Sequence, residues 1–247
     1  MPNEFFSRSE ALLGSETMES LRTKRVILFG VGGVGSWCAE ALIRTGLTHL
    51  TIVDGDTVQP SNVNRQLPAT RETLGRPKVE VLKERLLTIN PEAEIEAIHK
   101  MYEPTPNPSL KGGGNNKSFP SGEDLGEALS TYDYVIDAID SVAAKTDLII
   151  RATRTRGVKI FCSMGAALRL DPTKVTTGEL MDIKGDALAK AVRARMKKMG
   201  VKPYRKVQCV YSTEQALQCE TRGSLMQVTA VFGCTLAALV IRDILKK

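Results

Sequence analysis

Four glycines within six residues, Gly30-Val31-Gly32-Gly33-Val34-Gly35, constrain this chain more than any other feature. The apolar run RVILF at 25–29 stands before them and suits a buried parallel strand. After them, residues 33–45 put Val34, Trp37, Cys38, Ala41 and Leu42 on one side of a helix that Gly46 ends. The next strand, HLTIVD at 49–54, finishes on Asp54, completing a β-α-β unit. Glycines at such a junction let the backbone turn tightly and approach a phosphate. The helix N-terminus supplies unpaired N–H groups and the positive end of its dipole. Asp54 stands where a carboxylate can hold ribose hydroxyls.

The alternation continues. Helices are predicted over 76–88, 123–129 and 141–155, and strands over 95–101, 132–137 and 158–163. This predicts an α/β fold with a Rossmann-like, doubly wound, mostly parallel sheet. Residues 1–24 read as a helical lead-in and 25–172 as the nucleotide-binding region. Pro, Gly, Asn and Ser dominate residues 103–122, which read as a flexible loop. Residues 173–247 read as a C-terminal elaboration of one continuous domain. It has strands near 174–177 and 207–211, a basic helix over 186–199 and a final helix over 224–247.

Composition narrows the class. Apolar residues make up 42% of 247, enough to bury a sizeable core, and a net charge of +6 favours a polyanionic partner. The five cysteines are odd in number and none forms a C-x-x-C pair, so neither a disulfide scaffold nor a structural zinc site is expected. A reducing cytoplasm is the natural compartment, and the first residues show no signal-peptide pattern. The longest apolar stretch, 228–241, is short for a membrane span. It reads as a buried or dimer-facing helix, with peripheral membrane contact left open.

A glycine turn of this kind also serves dinucleotide dehydrogenases. The residues that follow argue for ATP cleavage instead. Ser61-Asn62-Val63-Asn64-Arg65-Gln66 follows the acid-bearing strand, and Arg76-Pro77-Lys78 opens the next helix. Splitting ATP between its α- and β-phosphates develops charge that fixed cations must stabilise. Arg65 suits a forked contact to phosphate oxygens, and Lys78 a point charge. Asp137 and Asp140 end the strand at 132–137, on the edge where open α/β sheets place ligands. A carboxylate there can carry Mg²⁺. Asp140 is favoured for the metal and Asp137 for a structural or substrate-orienting role.

Together these elements resemble the ubiquitin-activating-type adenylating enzymes, which include the bacterial sulfur-carrier activators ThiF and MoeB. The match runs in order through Gly30-x-Gly32-Gly33-x-Gly35, Asp54-x-Asp56, Asn62-x-Asn64-Arg65-Gln66, Gly75-x-Pro77-Lys78 and Asp137-x-x-Asp140. The resemblance implies ribose binding by Asp54, phosphate binding by Arg65 and Lys78, and Mg²⁺ at Asp140. Phe5-Phe6-Ser7-Arg8 looks like the family's Arg-aromatic-x-Arg element. Only its second arginine is present here, and Arg8 would reach the partner subunit's ATP site in a homodimer. Within the superfamily the chain is most similar to the tRNA threonylcarbamoyladenosine dehydratases. The carrying segments are GVGGVGSW at 30–37, VNRQ at 63–66, YVIDAIDSV at 134–142, LDPTKV at 170–175 and VYSTE at 210–214. That branch adenylates a carboxylate on a modified adenosine of tRNA and closes a ring with net loss of water. The other reading, activation of a small Gly-Gly-terminated sulfur-carrier protein, lacks the paired C-x-x-C zinc motifs common there.

The resemblance implies tRNA as partner and leaves room for a sulfur-relay protein. Residues 184–206 hold nine Lys or Arg against one Asp, an electrostatic footprint for phosphates. Its expected contacts are Lys190, Arg193, Arg195, Lys197, Lys198, Lys202, Arg205 and Lys206. No cysteine is assigned as a nucleophile. Cys162, Cys209, Cys219 and Cys234 read first as small packing residues.

Overall fold

The computed structural model describes residues 4–104, 123–221 and 223–246. Most of the segment read as a flexible loop, from 105 onward, lies outside them. Seven strands form one sheet in the order β3-β2-β1-β4-β5-β7-β6. Six run parallel: β1 (Arg25–Phe29), β2 (His49–Val53), β3 (Glu94–Ile98), β4 (Tyr134–Asp137), β5 (Lys159–Ser163) and β7 (Gln208–Ser212). β6 (Val175–Glu179) is an antiparallel edge strand paired with β7. The Rossmann-like α/β sheet anticipated from the alternation of elements is therefore present, and the C-terminal part adds two strands to it.

The central strands are buried on both faces, which is why β1 and β4 read as unbroken apolar runs. On one face, Val26, Leu28, Ile52, Tyr134 and Ile136 join a core with α2 (Ser15–Thr23), α3 (Gly35–Thr45), α4 (Lys78–Ile89) and α8 (Met226–Ile244). On the other, Ile27, Phe29, Val135 and Ile160 pack with α6 (Val142–Arg154) and α7 (Ala187–Lys198). Leu129, the last residue of α5 (Glu123–Leu129), joins this second core.

Several boundaries differ from the sequence reading for local reasons. The lead-in is two helices, α1 (Ser7–Leu13) and α2, because Gly14 at φ 79° breaks it. α3 starts at Gly35, since residues 30–34 form the turn itself. α4 starts at Lys78, because Pro77 at its N-cap has ψ 128°, outside the helical region.

α8 is long and apolar enough to cross a membrane by length and composition. Half of it is nonetheless buried in the fold, with Val228, Phe232, Leu236 and Val240 in the core. It crosses α3 at Gly233. A Cβ there would stand 2.4 Å from the Val34 carbonyl oxygen and 2.7 Å from the Trp37 Cβ. α3 and α4 are tied by Glu40, whose buried carboxylate accepts from Arg85 and Arg44. Burial pushes this carboxyl up. The hydrogen bonds and charges of the two arginines outweigh that and hold it below the usual glutamate range.

The α3–α8 crossing generates a test. Gly233→Ala should destabilise the protein by about 1–3 kcal/mol through overpacking, read as a lower denaturation midpoint. Gly126→Ala, at a helical glycine with nothing within 4 Å, should shift stability by less than about 1 kcal/mol in either direction.

Candidate nucleotide-binding and adenylation site

The strand order reverses at β1, whose neighbours are β2 and β4. Open sheets bind ligands outside the strand ends at such a switch point. Gly30 follows β1, and Ala138 to Asp140 follow β4. Gly30 has φ 85°, and a Cβ there would lie 2.8 Å from the Ala138 carbonyl oxygen. A Cβ on Gly35 would lie 1.8 Å from the Gly30 carbonyl oxygen. No side chain fits in either place, so the turn needs glycine sterically. α3 begins here with no side-chain cap, an arrangement that leaves its N-terminus to an anion.

Around this turn the residues singled out from sequence form one connected cluster. Asp54 accepts from the N–H groups of Val31 and Asp56, each at 2.8 Å. It therefore braces the glycine turn as well as standing at the ribose position. The aliphatic part of Arg65 lies over Gly33, its Cγ 3.2 Å from where a Cβ would stand. Its Nη1 donates to the Ser61 carbonyl and to Asn64 Oδ1, both at 2.8 Å, and its own carbonyl accepts from Trp37 Nε1. Lys78 is buried, with its ammonium 2.7 Å from Asp56 Oδ2. Asn62 is buried and accepts from the Gln59 N–H, shaping the short turn that leads to Arg65. Gln66 sits beside Gly32, and its buried Oε1 has no hydrogen-bond partner. A glycine cradle no Cβ can enter, an uncapped helix N-terminus and two cations fit a nucleoside triphosphate. Asp140 is exposed just beyond β4, next to Ala138.

Arg8 stands apart. It is exposed on α1, and the adjoining Phe6 packs at Gly46, the opposite end of α3 from the glycine turn. With α3 about 16 Å long, Arg8 lies far from its own chain's turn.

The sequence reading missed Lys145. Its ammonium lies 2.8 Å from Asp137 Oδ1 directly beneath the site, and both side chains are fully buried. Asp137 also accepts from the Ile139 N–H, while its Oδ2 has no partner. Burial pushes the Asp137 carboxyl up, against the opposing charge and hydrogen bond of Lys145. Asp137 is thus a structural carboxylate. The available signal was a lysine within the buried stretch of α6. Cys162 and Cys209 occupy paired positions on β5 and β7, and Cys162 lies against Asp137. Cys38, Cys162 and Cys209 are buried. Burial drives the Cys38 and Cys162 thiols upward, the opposite of what a nucleophile needs.

The basic segment is divided. α6 and α7 both start at the ligand-binding edge, since the N-cap carboxylate of α7, Asp186, accepts from Gly165 N–H just after β5. Both run toward the opposite edge, where Tyr204 N–H and the Arg205 guanidinium bond the end of α6. Arg205 caps α6 through the carbonyls of Ala152, Thr153 and Thr155. Arg193 donates to the Leu180 carbonyl. These two have internal structural work. Lys190, Arg195, Lys197, Lys198, Lys202 and Lys206 are exposed, with the last four toward the edge away from the glycine turn. A cleft of about 720 Å³ lined by Arg25, His49, Glu94 and Tyr132 also opens at that far edge, away from the switch point.

Comparison with known proteins agrees with this geometry. The ThiF family profile matches residues 6–247. The chain belongs to the ThiF family. Among ThiF-family relatives, it is 37% identical to the tRNA threonylcarbamoyladenosine dehydratase of Bacillus subtilis, across 86% of this chain and 76% of that protein. It is 33% identical to the Haemophilus influenzae protein of the same name, across 94% and 90%. In three dimensions it resembles the crystal structure of Escherichia coli tRNA N6-threonylcarbamoyladenosine dehydratase, TcdA, in complex with ATP. There the TM-score is 0.84 and the identity 32%, covering 98% of this chain and 93% of that one. The same enzyme in complex with AMP matches equally well.

Within this ThiF-family site the buried ion pair is directly testable. Lys145→Ala leaves Asp137 unpaired and should cost about 3–5 kcal/mol in denaturant unfolding. Replacing both partners, Asp137→Asn with Lys145→Met, should recover most of that loss.

Proposed function

We propose that this chain is an ATP-dependent tRNA threonylcarbamoyladenosine dehydratase. The observation that carries the reading is its near full-length likeness to TcdA, an enzyme known in complex with both ATP and AMP. The cluster around the glycine turn supplies the matching chemistry.

In the reaction, the carboxylate of the threonyl group on the modified adenosine attacks the α-phosphate of ATP. A bond forms between carboxylate oxygen and phosphorus, and the bond to pyrophosphate breaks. A nucleophile on the same side chain then attacks the activated carbonyl, closing the ring and releasing AMP. ATP thus turns a poor leaving group into a good one, and ring closure gains from proximity. Asp54 and Asp56 hold the ribose end. The glycine turn, Asn62, Gln66, Arg65 and Lys78 hold the phosphates and stabilise charge that develops as pyrophosphate leaves. Lys78 would exchange part of its contact with Asp56 for phosphate.

Mg²⁺ fits Asp140 as a single carboxylate ligand completed by phosphates and water. The described residues hold no group of three or more metal-ligating side chains, and Mg²⁺ does not require one. When bound, it supplies positive charge at the phosphate oxygens. Arg8 completes the site in trans, in a homodimer. The tRNA meets the exposed lysines of α7 and the loop after it, and a cytoplasmic location follows from that substrate. A sulfur-relay protein remains a further partner under this reading.

Incubation with ATP, Mg²⁺ and tRNA bearing threonylcarbamoyladenosine should give a nucleoside lighter by one water, read by mass analysis. Unchanged nucleoside mass alongside pyrophosphate exchange driven by a Gly-Gly-terminated carrier would replace this reading with the sulfur-carrier activator. Arg65→Ala should lower turnover about 10²–10³-fold at saturating ATP. Replacing Lys197 and Lys198 together with alanine should weaken tRNA binding and flatten its salt dependence by about 0.7–0.9 log units per lost contact. The KM for ATP should stay at the wild-type value.

A further inference from the structure

Three cationic side chains are buried among the described residues: Lys78, Lys145 and Arg169. Lys78 is paired with Asp56 and Lys145 with Asp137. Arg169 is only 3% exposed, and its Nε and Nη1 have no hydrogen-bond partner. A buried lysine can shed its proton, but a guanidinium keeps its charge at any ordinary pH. Burying such a charge without an acceptor is expensive, and native folds rarely retain it without a counterpart.

The backbone around Arg169 is held in place. Leu168 has φ 61°, the left-handed region that a branched residue rarely enters. Its N–H donates to the Gly223 carbonyl, and its carbonyl accepts from Leu217 N–H. The N–H groups of Leu170 and Asp171 both donate to the Glu214 carboxylate. Strain maintained by neighbours on both sides marks a functional position more often than an accident.

Arg169 also lies on the correct side of the ATP cradle. Its loop follows β5, the neighbour of β4, whereas Asp54 ends β2 on the opposite side of β1. The ribose end and the Arg169 loop therefore flank the glycine turn. Adjacent residues connect that loop to the phosphate cluster. Gly223 accepts from Leu168, and the Ser224 carbonyl accepts from Asn64 Nδ2. Asn64 in turn accepts from Arg65.

We propose that Arg169 holds the carboxylate of the acceptor in line with the α-phosphate of ATP, as a specificity-determining residue of the adenylation step. This rests on the reading of the chain as a carboxylate-adenylating enzyme. A fixed guanidinium whose buried Nε and Nη1 lack acceptors matches a carboxylate through a charge-assisted hydrogen bond. Arg169 exchanges no proton; it orients the carboxylate oxygen that bonds to phosphorus while pyrophosphate departs.

The test uses the full chain with Arg169→Gln and Arg169→Met. Both should raise the KM for modified tRNA about 10–100-fold, with the KM for ATP and affinity for unmodified tRNA within twofold of wild type. Arg169→Met removes an unpaired buried charge, so its melting temperature should equal or exceed that of wild type. A purely structural arginine would lower it. Wild-type kinetics in both variants would overturn the proposal, as would a parallel loss of stability and ATP binding. An equal loss of affinity for unmodified tRNA would assign the site to a backbone phosphate and also overturn it. Should the wild-type protein adenylate a different carboxylate, the dehydratase reading fails by itself. The same variants then test Arg169 by their pyrophosphate exchange with that acceptor.

Discussion

The site depends on one steric constraint, the approach of Gly35 to the carbonyl oxygen of Gly30. Because no Cβ can stand between them, α3 begins almost in contact with the end of β1. The Ala138 peptide after β4 closes the other side. The turn is held from outside as well. Asp54 accepts from Val31, and Thr229 of α8 lies against Gly33. The crossing of α8 over α3 at Gly233 then fixes the direction of α3. A core contact thereby sets the direction in which the α3 dipole points at the turn.

Charge is arranged in layers beneath this turn. Asp56 neutralises the buried Lys78. Asp137 and Lys145 neutralise each other at full burial, where neither could stand alone. That pair occupies the space directly below the switch point and lets the loop carrying Asp140 emerge from a fixed floor. Asp137 and Asp140 differ by three positions in sequence and by complete burial against exposure. Only the exposed one is open to a ligand from solvent.

The sequence carried the fold class because its period is local: apolar runs for buried strands and one-sided apolar faces for helices. It also carried the proximity of Gly30, Gly35, Asp54, Arg65 and Lys78, since they lie in the connections after β1 and β2, which the parallel topology puts side by side. It could not carry Lys145, Arg193 or Arg205. Their partners are a strand-end carboxylate and main-chain carbonyls, set by packing between elements and leaving no residue-type signature. The basic segment at 184–206 looked uniform for the same reason. Only the direction of α7 against α6 separates the lysines near the glycine turn from those at the far edge.

That separation bears on how a tRNA meets the enzyme. The exposed lysines at the end of α7 and in the loop after it lie roughly 18 Å from the ligand-binding edge, the length of the helix. On the proposed function they would hold the polymer away from the nucleotide being modified. On that reading, affinity for tRNA and selection of the reacting group would be supplied by different parts of the fold. The lysines act through counterion release, which is indifferent to the modified base. Under the Arg169 proposal, selection would fall to the loop after β5, where the guanidinium is buried and an unpaired donor has a large effect. On that reading, a chain of this size would grip a large polyanion without giving up discrimination at a single carboxylate.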